Sequence, residues 1–376
     1  DTLSVGNSID VGSIDATTVT VGSTIISSGS ITDIGSGTID FGATTITTTS
    51  ADNEFNGIRV NGNTILHSQL SVGDTVTFAS SLSVGDNVTL ASLLSVGGIT
   101  VVSSTLSVGA GVTMASSLSV GDNVTLASLL SVGGITVVSS TLSVGAGVTM
   151  ASSLSVGDNV TLASLLSVGG ITVVSSTLSV GAGVTMASSL SVGDNVTLAS
   201  LLSVGGITVV SSTLSVGAGV TMRSSLSVGD NVTFASLLSI GGLTVIRETL
   251  SVGGDVVLNG SVVLNDTLSV ADNVTFASLL SVGGAVIINE TLSVEQSVTL
   301  NDTLSIADNV TLASLLSVGG ITVISSTLSV GAGVTMRSSL SVGDNVTLAS
   351  LLSVGGITVV SSTLSVGAGV TMASSL

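Results

Sequence analysis

From Ile58 onward the chain is a run of six-residue words whose frame does not shift. Representative words are Leu82-Ser-Val-Gly-Asp-Asn, Val88-Thr-Leu-Ala-Ser-Leu, Leu94-Ser-Val-Gly-Gly-Ile and Thr100-Val-Val-Ser-Ser-Thr. Leu106-Ser-Val-Gly-Ala-Gly and Val112-Thr-Met-Ala-Ser-Ser complete a cassette of 36 residues that restarts at Leu118, Leu154, Leu190 and Leu226. A chain that repeats one short instruction builds a periodic body whose repeats stack on their neighbours.

Within a word, the first three letters alternate apolar, hydroxyl, apolar, as in Leu82-Ser-Val and Val112-Thr-Met. Alternation with period two sends both apolar side chains to one face of a strand and the hydroxyl to the other. The last three letters, such as Gly-Asp-Asn or Ala-Ser-Ser, are turn formers and residues that accept positive φ. A helix is excluded, because the 3.6-residue periodicity is missing and Gly and β-branched residues dominate. Three residues of strand and three of corner suit the side of a triangular β-helix with a narrow apolar interior. Phe78, Phe234, Phe276 and all six Met residues occupy the third letter of a Val-Thr-x word, which marks that letter as inward. Arg223 and Arg337 fall on the fourth letter, which is expected to be an outward corner.

Between Asn231 and Asn273 the landmark of the cassette is displaced by 42 residues instead of 36. The extra material is one whole word within the irregular stretch 250–303. Six residues is therefore the unit of structure.

Two all-β architectures use such words. Three identical chains can intertwine about one axis as a homotrimeric triple-stranded β-helix, one word per chain per layer. Alternatively one chain coils left-handedly as a β-solenoid with 18 residues per rung. Leu-Ser-Val words alternate with Val-Thr-x words at a period of twelve, whereas faces that stack on themselves would favour eighteen. The twelve-residue period favours the intertwined homotrimer. At about 4.8 Å per layer the two differ in length, about 250 Å for the trimer and about 85 Å for the single coil.

Composition narrows the function classes. A net charge of −18 with four basic residues opposes nucleic-acid binding, which needs clustered Lys and Arg. Apolar residues make up 44% of the chain, yet Ser, Thr or Gly interrupts every run well before the roughly 18 residues of a membrane helix. Ten-residue strands of a membrane barrel do not match six-residue words, so no membrane insertion is expected. There is no Cys, so no disulfide staples the fold. The chain opens at Asp1 without Met and stops at Leu376, the first letter of a further cassette, so we expect an interior piece of a longer protein.

Residues 1–57 follow the frame loosely and read as an irregular β segment, a knob or a change of shaft type; residues 58–376 read as the regular shaft. Strings such as Thr2-Leu-Ser-Val-Gly, Gly37-Thr-Ile-Asp-Phe-Gly-Ala-Thr-Thr-Ile-Thr-Thr-Thr and Gly62-Asn-Thr-Ile-Leu resemble the low-complexity shafts of virion fibres. The fibres in question are the tail fibres of marine phages and the fibres of large algal viruses. The resemblance covers nearly the whole chain and is one of style. It implies a homotrimeric shaft on a virion or other extracellular surface, holding a distal receptor-binding tip away from a basal attachment protein. Self-association, end to end or in bundles, is the further expectation for this chain.

Candidate sites lie at the corners. Asp86, Asp122, Asp158, Asp194 and Asp230 recur at one letter, and stacked carboxylates would offer Ca²⁺ its hard oxygen ligands. The competing reading is turn chemistry, with Asp and Asn bonding to nearby backbone. Asn87, Asn123, Asn159, Asn195 and Asn231 head Asn-Val-Thr triplets, and Asn259, Asn265, Asn289 and Asn301 head further formal glycosylation triplets. His67 is solitary, and near-identical words offer no unique catalytic constellation. No enzyme activity, cofactor or catalytic residue is therefore expected. The functional expectation is a rigid structural shaft, with a repetitive glycan- or surface-binding adhesin as the alternative and an ice-binding solenoid as a minor one.

Overall fold

The computed structural model describes Ile46–Thr48, Glu54–Phe55 and residues 58–374. Most of the 1–57 segment thus lies outside the described residues. Among the described residues every regular element is a β-strand. From Ile58 the strands are three residues long, and each starts on the first letter of a word.

The 55 strands form three parallel sheets of 19, 18 and 18 strands. Successive words feed successive sheets. Leu82–Val84 lies in the first, Val88–Leu90 in the second and Leu94–Val96 in the third. Thr100–Val102 then returns to the first sheet and pairs with Leu82–Val84 in the register Thr100↔Leu82. Every pairing from Ile58 onward keeps this offset of 18 residues, as in Leu106↔Val88 and Val112↔Leu94. The same offset reaches back to Ile46↔Thr64, while Glu54↔Ser71 is one residue shorter.

One chain therefore closes each rung by itself with 18 residues, the single-chain alternative, and the twelve-residue period is compatible with that winding. The reason is arithmetic. Eighteen is one and a half periods of twelve, so a face stacks Leu-Ser-Val words on Val-Thr-x words alternately, as in Leu142↔Val160. Stacking unlike words fills the interior evenly. In one rung the inward third letters are Val84, Leu90 and Val96; in the next they are Val102, Val108 and Met114, all buried. Each of these rungs holds two valines and one longer side chain, and the longer one changes sheet from rung to rung. Close packing of a narrow interior demands such evenness.

Backbone groups are satisfied between rungs, at corners as well as in strands. Val88 N–H donates to the Thr105 carbonyl at 2.8 Å, and Ala91 N–H to the Val72 carbonyl at 3.0 Å. Buried amide groups demand partners, and stacking supplies them without a separate turn network. The corner glycines serve the same stacking. A methyl group placed on Gly85 would lie 2.7 Å from the His67 carbonyl oxygen one rung below. Gly97, Gly109 and Gly121 face Ala79, Ala91 and Ser103 still more closely, and none of these four has positive φ. The tolerance of these glycines for positive φ is not used here: glycine is required for clearance between rungs.

The inserted word changes azimuth and not architecture. The first word of the cassette lies in the first sheet at Leu226–Val228 and in the second sheet at Leu268–Val270. The pairing across the junction, Leu250↔Leu268, keeps the ordinary offset. Everything beyond the insertion is turned by a third of a rung relative to what precedes it.

Candidate functional site: the three edges of the solenoid

The interior is apolar and continuous, so anything this body recognises must meet its faces or its three edges. The edge between the first and second sheets is acidic. It carries Asp86, Asp122, Asp158, Asp194 and Asp230, and further along Glu248, Asp266 and Asp302. The recurring aspartates do not stack on consecutive rungs. Asp86 and Asp122 are two rungs apart, about 10 Å at the usual strand spacing, and Ser104 stands between them. Where a partner is formed it is a hydroxyl: Ser212 donates to Asp230 Oδ2 at 2.7 Å. Among the described residues, no group of three or more His, Cys, Asp or Glu side chains is placed to hold a metal ion.

The neighbouring asparagines are tied to the scaffold. Asn87 Oδ1 accepts from the backbone N–H of Thr105 at 3.1 Å, and Asn123, Asn159 and Asn195 accept from Thr141, Thr177 and Thr213 at the same distance. Asn231 accepts from Thr249 at 3.2 Å. Each is a staple between rungs, a variant of the turn chemistry anticipated, with the bond reaching 18 residues ahead instead of to nearby backbone. Asn259, Asn265, Asn289 and Asn301 are exposed residues of the irregular stretch.

The edge between the second and third sheets is mixed. Leu93, Leu129, Leu165, Leu201 and Leu237 stand exposed on it, and beyond them it turns polar with Asp255, Asp272, Glu290, Asp308 and Asp344.

The edge between the third and first sheets carries a large aliphatic side chain on every second rung from Ile99 to Leu351. Ile99, Ile135, Ile171, Ile207, Leu243, Leu279, Leu315 and Leu351 follow one another every second rung, each between 44% and 56% exposed. The column survives the inserted word because leucines of Val-Thr-x words rotate into the place of isoleucines. From Asp74 to the end of the described residues, every carboxylate except Glu295 stands on one of the other two edges.

Beside this edge lies a feature that the alternation rule did not anticipate. In the Thr-Val-Val words the order of polarity is inverted, and stacking register wins over polarity. Thr100, Thr136, Thr172 and Thr208 point inward and are fully buried, and their hydroxyls lack a hydrogen-bond partner. Val101, Val137, Val173 and Val209 point outward at 40% exposure. The inversion is visible in the word itself, Thr100-Val-Val against Leu106-Ser-Val.

Compared with known proteins, the chain matches no family model, no curated protein and no solved structure.

The outward letters also bear on hydroxyl-based recognition. The second sheet presents Thr89, Ser107, Thr125 and Ser143 in turn, and the first presents Ser83, Val101, Ser119 and Val137. On these two faces no threonine stands on the rung next to another. His67 is exposed, and the arginines Arg223 and Arg337 are exposed at fourth letters, as expected.

Proposed function

We propose that this chain is a non-enzymatic structural shaft that holds a binding tip at a fixed distance from a virion or cell surface. The observation that carries this reading is the unbroken 18-residue register from Ile58 to Met372, with one continuous apolar core. A body in which each rung bonds only to its neighbours grows in one dimension, and its length is set by the number of words. Its regularity offers length and stiffness, and it places no unique cluster of reactive groups at one point. An extracellular setting, and a tip and base supplied by other segments or partners, belong to the same proposal, which draws on the resemblance to virion fibre shafts.

Electron microscopy of the purified chain tests it. Residues 58–374 should form a straight rod of about 85 Å at about 4.8 Å per rung, resistant to protease, and the repeats should bind no glycan on an array. Specific glycan binding by the repeats alone would overturn the spacer reading in favour of the adhesin.

A further inference from the structure

We propose that the aliphatic edge between the third and first sheets is a lateral seam on which a second copy of this chain docks. The aliphatic side chains recur at every second rung: Ile99 with Val101, Ile135 with Val137, Ile171 with Val173. As far as Ser225 the rungs between carry Ser117 and Ser119 or their equivalents in the same two columns; beyond the inserted word the valine column ends and Leu279, Leu315 and Leu351 alone keep the pitch. Knobs thus alternate with shallow gaps at a fixed pitch. A second copy has the same pitch, so displacing it by one rung sets its knobs into those gaps along the whole edge.

The serines in the gaps are compatible with a dry contact. Ser81 Oγ already accepts the Ile99 N–H at 3.2 Å, and Ser117 Oγ the Ile135 N–H at 3.1 Å. Charge selects the same edge. A chain of net charge −18 repels its copies, and this edge keeps the acidic edge and the acidic stretch of the mixed edge turned away from the contact. Only Glu295 and Arg223 interrupt its neutrality. Area is adequate as well. The column from Ile99 to Leu351 runs for about fourteen rungs, roughly 67 Å. A strip about 10 Å wide along it would bury about 700 Å² per copy, close to the roughly 800 Å² per partner of a standard interface.

The inverted words supply an independent argument. Burying Thr100 without a partner and exposing Val101 both oppose folding, and restoring the order Val-Thr would relieve both. The rule is broken in the same direction at Thr136, Thr172 and Thr208, each beside this edge, where the seam gives the outward valines a use; beyond the inserted word Val323 and Val359 turn onto the second sheet instead. An antiparallel pair of such edges closes on itself as a twofold dimer.

Sedimentation velocity of the intact chain tests the seam. The wild type should form a dimer, tighter at high salt because screening weakens the acidic repulsion. Combining Ile99→Ser, Ile135→Ser, Ile171→Ser and Ile207→Ser should raise the dimer dissociation constant at least tenfold. The matched set on the mixed edge, Leu93→Ser, Leu129→Ser, Leu165→Ser and Leu201→Ser, should leave it within about twofold. Exchanging Thr100→Val with Val101→Thr, and likewise in the next three cassettes, should give a chain that melts higher yet associates more weakly. Circular dichroism confirms that each variant is folded. A wild type that stays monomeric at high salt, equal weakening by both serine sets, or a mass of three copies overturns the seam. So does a monomer that co-sediments with phosphatidylcholine vesicles, which would assign the stripe to a lipid surface. The inference extends the shaft reading without resting on a tip, and a stiff monomeric rod would leave that reading standing.

Discussion

Asn123 and Thr141, 18 residues apart in sequence, are joined by a 3.1 Å bond from the Thr141 backbone N–H to the Asn123 side-chain oxygen. The bond fastens one corner to the corner of the next rung, where no strand pairing reaches. Replacing Asn123→Ala should cost about 1 kcal/mol, the usual net value of such a bond. Amide exchange should show it locally: the Thr141 N–H loses protection while Leu142 N–H, bonded to the Asn159 carbonyl at 2.9 Å, keeps it. Asn123→Asp retains an acceptor and should preserve the protection.

Glycines at fourth letters differ from those at sixth letters. Gly121→Ala sets a methyl group against the Ser103 carbonyl oxygen, backbone that cannot swing aside. We expect a loss of about 1–3 kcal/mol, typical of overpacking. The sixth-letter Gly111 has its nearest obstacle, the Leu129 carbonyl oxygen, at 3.2 Å. Gly111→Ala should therefore cost clearly less, and urea melts of the two variants side by side check the order.

The buried threonines predict a gain. Thr136→Val keeps the shape of the side chain and removes a hydroxyl that has no partner. Stability should rise by about 1–2 kcal/mol, the penalty of a buried unsatisfied polar group. A midpoint that falls in chemical denaturation would show that the hydroxyl finds a partner in solution.

Exposure ranks the glycosylation triplets. If the chain is expressed through a eukaryotic secretory pathway, Asn265, Asn289 and Asn301 should carry glycan at higher occupancy than Asn123 and Asn159. The first three are exposed and the last two are half-buried with their side-chain oxygens engaged between rungs. Site occupancy by mass spectrometry reads this directly.

The corner aspartates predict an insensitivity. Because Asp86 and Asp122 are two rungs apart with Ser104 between them, a calcium chelator should leave the melting temperature unchanged. A downward shift on chelation would reveal ligands contributed by some other arrangement.

Much of the fold can be read from the words themselves. Leu82-Ser-Val and Val88-Thr-Leu declare their inward and outward letters, and Met114 and Phe78 mark the roomy inward position, because alternation in a strand leaves no other choice. What closes a rung is less legible. The twelve-residue rhythm points away from eighteen, and only the need to offset Leu90 on one sheet by Met114 on another reconciles them. Thr100 and Val101 read wrongly by polarity alone, since their direction is imposed by the rungs above and below and not by their own chemistry. The aliphatic edge is hidden for a related reason: Ile207 and Leu279 belong to different words and meet in one column only after the chain has been wound.

The whole-word insertion before Leu268 shows what freedom this construction has. Because a rung is three interchangeable words, adding one word acts as a click of a three-position dial: the core is indifferent, and every outward residue downstream moves to the next compass bearing. Displayed groups could be re-aimed around the axis by editing in steps of six residues, with each word adding only a third of a rung to the length.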